Sequence, residues 1–260
     1  MHRLLAFACS LALFAAATPG VAADCRGRPA ALGTSRVLTV DPAQIHRVGT
    51  MQYPDTLPLR DHEIVLTFDD GPLPPYTARV LNALRAECVR ATFFVLDGMA
   101  KAYTGLVRRA HSEGHTIATH SQSHRVLGHG VPEADVKRDF ETGVEMVAAV
   151  LGGRNAVAPF YRFPGLGRSA ALEQHLASHG VMAWSADFDA DDWKHISADQ
   201  ITARVLARIE SKGRGILVLH DIQPATARAL PKLLRELRAR HFHIVHAVPA
   251  SVATVGQSGR

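Results

Sequence analysis

Residues 63–87, EIVLTFDDGPLPPYTARVLNALRAE, hold one complete strand, turn and helix, and the reading of the whole chain starts from them. Ile64 to Phe68 form an apolar run of strand length, and Val80, Leu81 and Leu84 recur at helical spacing. Between them stand Asp69 and Asp70, followed at once by Gly71-Pro72. An Asp-Gly-Pro stretch is common strand-ending punctuation. Two adjacent carboxylates at the end of a buried strand are also a pair of potential metal ligands or bases, and the rest of the sequence has to decide between the two.

Outward from this unit the same alternation continues. ATFFVL (91–96), HTIAT (115–119), FYRF (160–163), VMAWSAD (181–187), GILVLH (215–220) and HIVHAV (243–248) read as strands. The amphipathic segments 103–114, 133–152, 169–180, 198–213 and 225–241 read as helices. About seven strand–helix units over some 190 residues predict an α/β fold of parallel strands joined by crossover helices, with no sequence repeat that would make a solenoid. Residues 24–60 carry prolines at 29, 42, 54 and 58 and show no sustained period, so they are expected to be an irregular extension packed on a domain of residues 61–250, with 251–260 a short tail.

The first 23 residues have the layout of a cleavable signal peptide: Arg3, an apolar core from Leu4 to Ala17, and Val21-Ala22-Ala23 as a small-residue cleavage site. The core is short for a membrane span, although an uncleaved anchor is an alternative. A secreted or periplasmic protein is expected, with no membrane span in the mature chain. Cys25 and Cys88 survive such processing; a bridge between them and a buried free thiol at Cys88 both suit the sequence. The formal net charge is +5, of which Arg3 supplies one. The basic residues are spread along helices such as KLLRELRARH, which suits a solvated face better than a nucleic-acid site, and attraction to an anionic envelope polymer is compatible with it.

In parallel α/β folds the loops at the carboxyl ends of the strands gather into one site. The polar clusters fall at such ends: Asp69-Asp70, His120 to His124, Arg162, Asp189 to Trp193, and His220-Asp221. In HSQSH, His120 and His124 are four apart, so a helical turn would point both imidazoles at one divalent metal; packing is the plainer reading in a chain with 15 histidines. No glutamate follows His120, so HExxH is absent. One aspartate of the opening pair can complete a site of two histidines and one carboxylate while the other serves as a base.

TFDDGP (67–72), HSQSH (120–124), RFPG (162–165), DADDW (189–193) and LVLH (217–220) stand in the order and approximate spacing of the five motifs of the polysaccharide deacetylase family, the NodB-homology carbohydrate esterases of family 4. The chain resembles that family over about residues 61–250. The resemblance implies a distorted (β/α)7 barrel similar to a TIM barrel, and a divalent ion, zinc or cobalt, on Asp70, His120 and His124. It implies Asp69 as general base, Arg162 as the partner that orients it, His220 as general acid, Asp192 as the group that tunes the acid, and Trp193 and Gly165 as pocket walls. Amide hydrolysis needs an activated water, a polarised carbonyl and a proton for the departing amine, and these residue types supply all three; a backbone N–H just past Arg162 would share in polarising the carbonyl. Trp193 as ordinary core, Arg162 as a structural ion-pair partner and His220 as a satisfied strand-end histidine are the plainer alternatives.

Two positions depart from the family pattern. Arg125 stands where a proline often follows the second histidine, and Gly165 stands where an aromatic commonly follows the proline of the third motif. The expected activity is removal of N-acetyl groups from an envelope polysaccharide, peptidoglycan or a related glycan. The alternatives are an O-acetyl esterase on xylan or another glycan, a non-catalytic glycan-binding protein on the same fold, and an Fe(II) oxygenase, the last disfavoured by the α/β pattern and the extra acid and base.

Overall fold

A computed structural model describes residues 27–126 and 131–250. The leader, Cys25, His129 and the tail 251–260 lie outside the described residues. Strands β1 (Thr34–Val40), β2 (Arg47–Val48), β3 (Glu63–Asp69), β4 (Thr92–Val95), β5 (Thr116–Thr119), β6 (Phe160–Tyr161), β7 (Met182–Trp184), β8 (Phe188–Asp189), β9 (Gly215–His220) and β10 (His243–Pro249) pair in parallel. Helices α1 (Tyr76–Ala86), α2 (Asp97–Ala102), α3 (Thr104–Ser112), α4 (Glu133–Leu151), α5 (Ala170–Ser178), α6 (Ala198–Lys212) and α7 (Pro224–Ala239) lie between them in sequence. Seven strands run side by side in the order β8-β9-β3-β4-β5-β6-β7, the course of a distorted (β/α)7 barrel. Its two end strands, β7 and β8, are joined by residues 185–187.

Strand alternation sorts the side chains. On β3, Ile64, Leu66 and Phe68 belong to the large cluster packed under the helices, whereas Val65 belongs to a second cluster with Phe94, Ala118, Phe160, Trp184 and Ile216, one from each surrounding strand. Successive strand residues point to opposite faces, so Thr67 and Asp69 share the face of Val65. The same parity puts His220 with Ile216, His120 with Ala118, and Arg162 with Phe160. The second cluster is therefore an apolar plug inside the ring of strands, and the polar residues are set above it at the carboxyl ends.

Three expectations need correction. The segment 24–60 is not irregular throughout: β1 pairs along β10, and β2 pairs with β7 at the opposite end of the sheet. VMAWSAD is not one strand; β7 stops at Trp184 and β8 starts at Phe188. The intervening Asp187 is buried, and its carboxylate accepts hydrogen bonds from Thr50 N and Oγ1, Thr56 Oγ1 and Ile216 N at 2.5–2.8 Å. The extension is thus bonded into the place where the strand run would otherwise be split. Finally, β10 does not join the seven-strand run, since it meets β3 only at Glu63 and Ile64. Among the described residues no helix is long and apolar enough to cross a membrane. Cys88 is disulfide-bonded, so the free-thiol alternative falls; Cys25, the other cysteine of the suggested bridge, lies outside the described residues.

Candidate active site

Asp69 is the last residue of β3, and Asp70 takes a left-handed φ of 74°. The bend that brings two adjacent carboxylates to one place therefore begins at Asp70 itself, one residue before the expected Gly71-Pro72 turn. Gly71 is needed for a different reason: a Cβ there would lie 2.1 Å from Asp221 Oδ2.

The histidine segment is a loop and not the helical turn its spacing suggests. Residues 120–124 follow β5 without helix, and Ser121 and His124 have φ of 80° and 57°. This doubling back carries His120 Nε2 and His124 Nε2 each to 3.4 Å from Asp70 Oδ1. Three atoms bound tetrahedrally at about 2.0–2.1 Å to a common centre stand about 3.4 Å apart, so the spacing is that of a coordination edge. Asp70 Oδ1 is a buried atom with no hydrogen-bond partner among the described residues, an orphan that a cation would satisfy. His120 Nδ1 lies 2.8 Å from the Arg162 carbonyl, which can only accept. That fixes Nδ1 as the protonated nitrogen and leaves the Nε2 lone pair facing Asp70. Burial pushes the His120 pKa down despite Asp69 and Asp70, so the ring is held neutral, the form that ligates a metal. The donor set of two imidazoles and one carboxylate fits a divalent cation such as Zn²⁺ or Co²⁺.

Beside this trio, Asp69 Oδ1 accepts from Arg162 Nη1 at 2.7 Å, and the same nitrogen donates to Thr67 Oγ1 at 2.8 Å. Arg162 is 1% exposed, its Nη2 donates to the Ser185 carbonyl, and its guanidinium carbon stands 4.3 Å from the Phe94 ring centroid. A guanidinium so enclosed fixes the neighbouring carboxylate in position. The second oxygen of Asp69 remains 4.0 Å from His120 Nε2, towards the trio.

His220 ends β9 as the register partner of Asp69 on the adjacent strand. Its Nδ1 is 2.7 Å from Asp192 Oδ1, while Asp192 Oδ2 accepts from His220 N and Thr226 Oγ1 at 2.8 and 2.5 Å. Burial opposes the imidazolium, but the hydrogen bond and charge of Asp192, with Asp69 and Asp70 adding, outweigh it and raise the His220 pKa to about 9. Nδ1 is committed to Asp192, which leaves Nε2 to carry an exchangeable proton.

Trp193 is 51% exposed and so is not core; its Nε1 donates to Asp189 Oδ2 at 3.3 Å, and Lys194 Nζ lies 4.9 Å from its ring centroid. Asp191 is taken up by Lys194, Arg204 and Arg208. Gly165 sits in the Pro164–Leu166 turn with φ of 55°, and a Cβ there would meet Val126 Cγ1 and Cγ2 at 3.1 and 3.2 Å. The turn's own hydrogen bonds are donated by Leu166 and Gly167. Arg125 leans onto α4, with Nη1 3.7 Å from Asp135 Oδ2 and Nε 3.3 Å from Ser123 Oγ.

Several supporting residues escape a motif reading. Asp139, buried on α4, accepts from Ser123 N and Oγ, and its carbonyl accepts from Gln122 N, so it grips the histidine loop from behind. Its sequence signal is an acid in register with Val136, Phe140 and Val147 on the buried helix face. Asp221 accepts from Thr77 Oγ1, which in turn accepts from Leu73 N, tying the end of β9 to the loop after β3. Gln52 donates to the Leu166 carbonyl at 2.6 Å, bracing the Gly165 turn from the N-terminal extension.

The sequence profile described as polysaccharide deacetylase matches residues 57–184. A peptidoglycan-N-acetylglucosamine deacetylase of Bacillus cereus is 30% identical over 188 residues, which are 68% of this chain and 66% of that protein, so the chain spans slightly under two thirds of that relative's length. A chitooligosaccharide deacetylase of Sinorhizobium fredii is 31% identical over 72% of this chain and 90% of its own. Among solved structures, a peptidoglycan deacetylase of Bdellovibrio bacteriovorus superposes with a TM-score of 0.76 at 29% identity, covering 90% of this chain and 65% of that one.

Proposed function

Since the chain belongs to the polysaccharide deacetylase family, we propose that it is an exported, metal-dependent hydrolase that removes N-acetyl groups from an envelope polysaccharide, peptidoglycan or a related glycan containing N-acetylglucosamine. The observation that carries the reading is the orphan Asp70 Oδ1 with two imidazole nitrogens 3.4 Å from it, beside an Asp69–Arg162 pair and across from an Asp192–His220 pair. A divalent cation held by Asp70, His120 and His124 supplies Lewis acidity, lowering the pKa of a water and polarising the acetyl carbonyl.

The chain's own groups divide the proton transfers. Asp69, oriented by Arg162, takes the proton from the attacking water through its second oxygen. His220 Nε2 gives a proton to the departing amine, which is too basic to leave as an anion, and Asp192 holds the imidazolium ready. The Gly165 N–H, at a left-handed turn, takes the oxyanion-stabilising role in this reading, with Trp193 as a rim for a sugar ring. A strongly held acid is what an amide requires; an ester leaves more easily and makes less use of it, which favours N- over O-deacetylation.

The test is acetate release by metal-loaded protein from N-acetylglucosamine oligomers, peptidoglycan and acetylated xylan. Release from the first two is expected, chelation should abolish it, and added Zn²⁺ or Co²⁺ should restore it. Release from xylan alone would transfer the assignment to an O-acetyl esterase, and release from none would favour a glycan-binding role.

A further inference from the structure

Away from this site, α4 and α5 bring together a second set of ligands that the proposed reaction does not use. Among the described residues, two groups offer three ligand atoms within 4.8 Å of one another: the trio around Asp70, and Glu141 with His175 and His179. His175 and His179 are four apart at the end of α5, where, unlike in HSQSH, helical geometry does bring the rings together, tilted at 51° with centroids 4.3 Å apart. Glu141 reaches across from α4, its Oε1 3.1 Å from His175 Nε2. His179 Nδ1 lies 2.8 Å from the His175 carbonyl, an acceptor, so Nδ1 carries the proton and Nε2 keeps its lone pair. The Ser178 hydroxyl donates to the same carbonyl and stands 3.2 Å from that Nδ1.

We propose that Glu141, His175 and His179 form a second divalent-cation site that clamps the end of α5 to α4. Two imidazole nitrogens and one carboxylate oxygen make a set of intermediate softness that takes Zn²⁺, Ni²⁺ or Cu²⁺ in preference to Mg²⁺ or Ca²⁺. On binding, the His175 proton that now serves the hydrogen bond to Glu141 shifts from Nε2 to Nδ1 by exchange with solvent, and the freed Nε2 lone pair faces the cation. Glu141 and His179 are exposed, so the site is open to solvent and exchanges its ion freely. Its position gives it a structural consequence. Glu141 is two residues from Asp139, the group that grips the histidine loop, so the clamp stiffens the segment of α4 that supports the first site.

The test uses untagged, chelator-stripped protein and Zn²⁺ alone, with bound metal measured by equilibrium dialysis and elemental analysis. Two zinc ions per chain are expected in the unsubstituted protein, one in Asp70→Ala, one in His179→Ala, and none in the double variant. In the Asp70→Ala background, Zn²⁺ should raise Tm progressively with its concentration, and Glu141→Gln or His179→Ala should abolish that rise. Neither surface substitution should alter acetate release by protein saturated at the first site. One zinc in the unsubstituted chain that Asp70→Ala removes would overturn the second site and spare the first. One zinc that only His179→Ala removes would uphold the second and sink the first. An ion retained in the double variant would overturn the assignment to these ligands.

Discussion

Asp69 and Asp70 are neighbours in sequence but are claimed by different partners, Arg162 in one case and two imidazoles in the other, so their removal should fail differently. Asp69→Asn is expected to keep its metal and fold while losing on the order of 10² to 10⁴ in kcat, the usual worth of a placed base. Asp70→Ala should instead lose first-site metal, with activity partly rescued at high metal concentration; metal content and acetate release on the two variants decide it. His220 offers a second contrast. Its alanine variant should harm an amide substrate far more than an activated aryl ester, and equal losses would mean a structural role. A general acid works protonated, so activity on the amide should fall as pH rises through the His220 pKa. That pKa is raised to about 9, partly by Asp69 and Asp70; a cation on Asp70 cancels its share, and the alkaline limb should fall at or below 9. Asp192→Asn removes the main support for the charge, burial then prevails, and the limb should move to lower pH in a pH–rate profile.

The loop between β5 and α4 shows what an element adds to its residues. Spacing in HSQSH identifies two histidines able to converge, yet four-residue spacing suits a helical turn and a doubled-back loop alike. What selects the loop is the left-handed φ of Ser121 and His124 and the grip of Asp139, a contact 16 residues away that no local pattern announces. The strand β3 was legible to within one residue of its end because a fully buried run ended by a turn has few other readings, whereas β6 and β8, two residues each, carry too little pattern to be separated from their surroundings. The strands of the extension were hidden for a related reason: β1 is covered on one face only and β2 is very short, so neither needs an apolar run. Asp139→Ala is expected to weaken first-site metal binding by about 10- to 100-fold, the usual cost of losing a group that orients ligands, and metal titration checks it. Gly71→Ala should destabilise by about 1–3 kcal/mol in urea unfolding, because its Cβ would overlap Asp221, and the loss should be smaller in an Asp221→Ala background than in the parent.

Across the whole molecule, the polar motifs' position at the carboxyl ends of parallel strands was enough to predict one mouth, which is why the arrangement of the site was more readable than the edges of the fold. The join between β7 and β8 was not readable, since it depends on Asp187 meeting Thr50 and Thr56 from more than 130 residues away. Asp187→Ala leaves the buried Ile216 N–H, the Thr50 N–H and two hydroxyls without this acceptor and should cost about 1–3 kcal/mol in chemical denaturation. The pairing of β1 with β10 carries a further consequence, for the order in which the molecule can be assembled. Among the described residues the first strand is laid on the last, with Ser35 bonded to a carbonyl 209 residues later. Contacts of such long range form late, because the intervening chain must be organised before they repay their closure entropy. Until β10 has been made, a nascent chain therefore lacks the strand along which β1 is laid, so this pairing is closed only after synthesis has passed nearly the whole described chain.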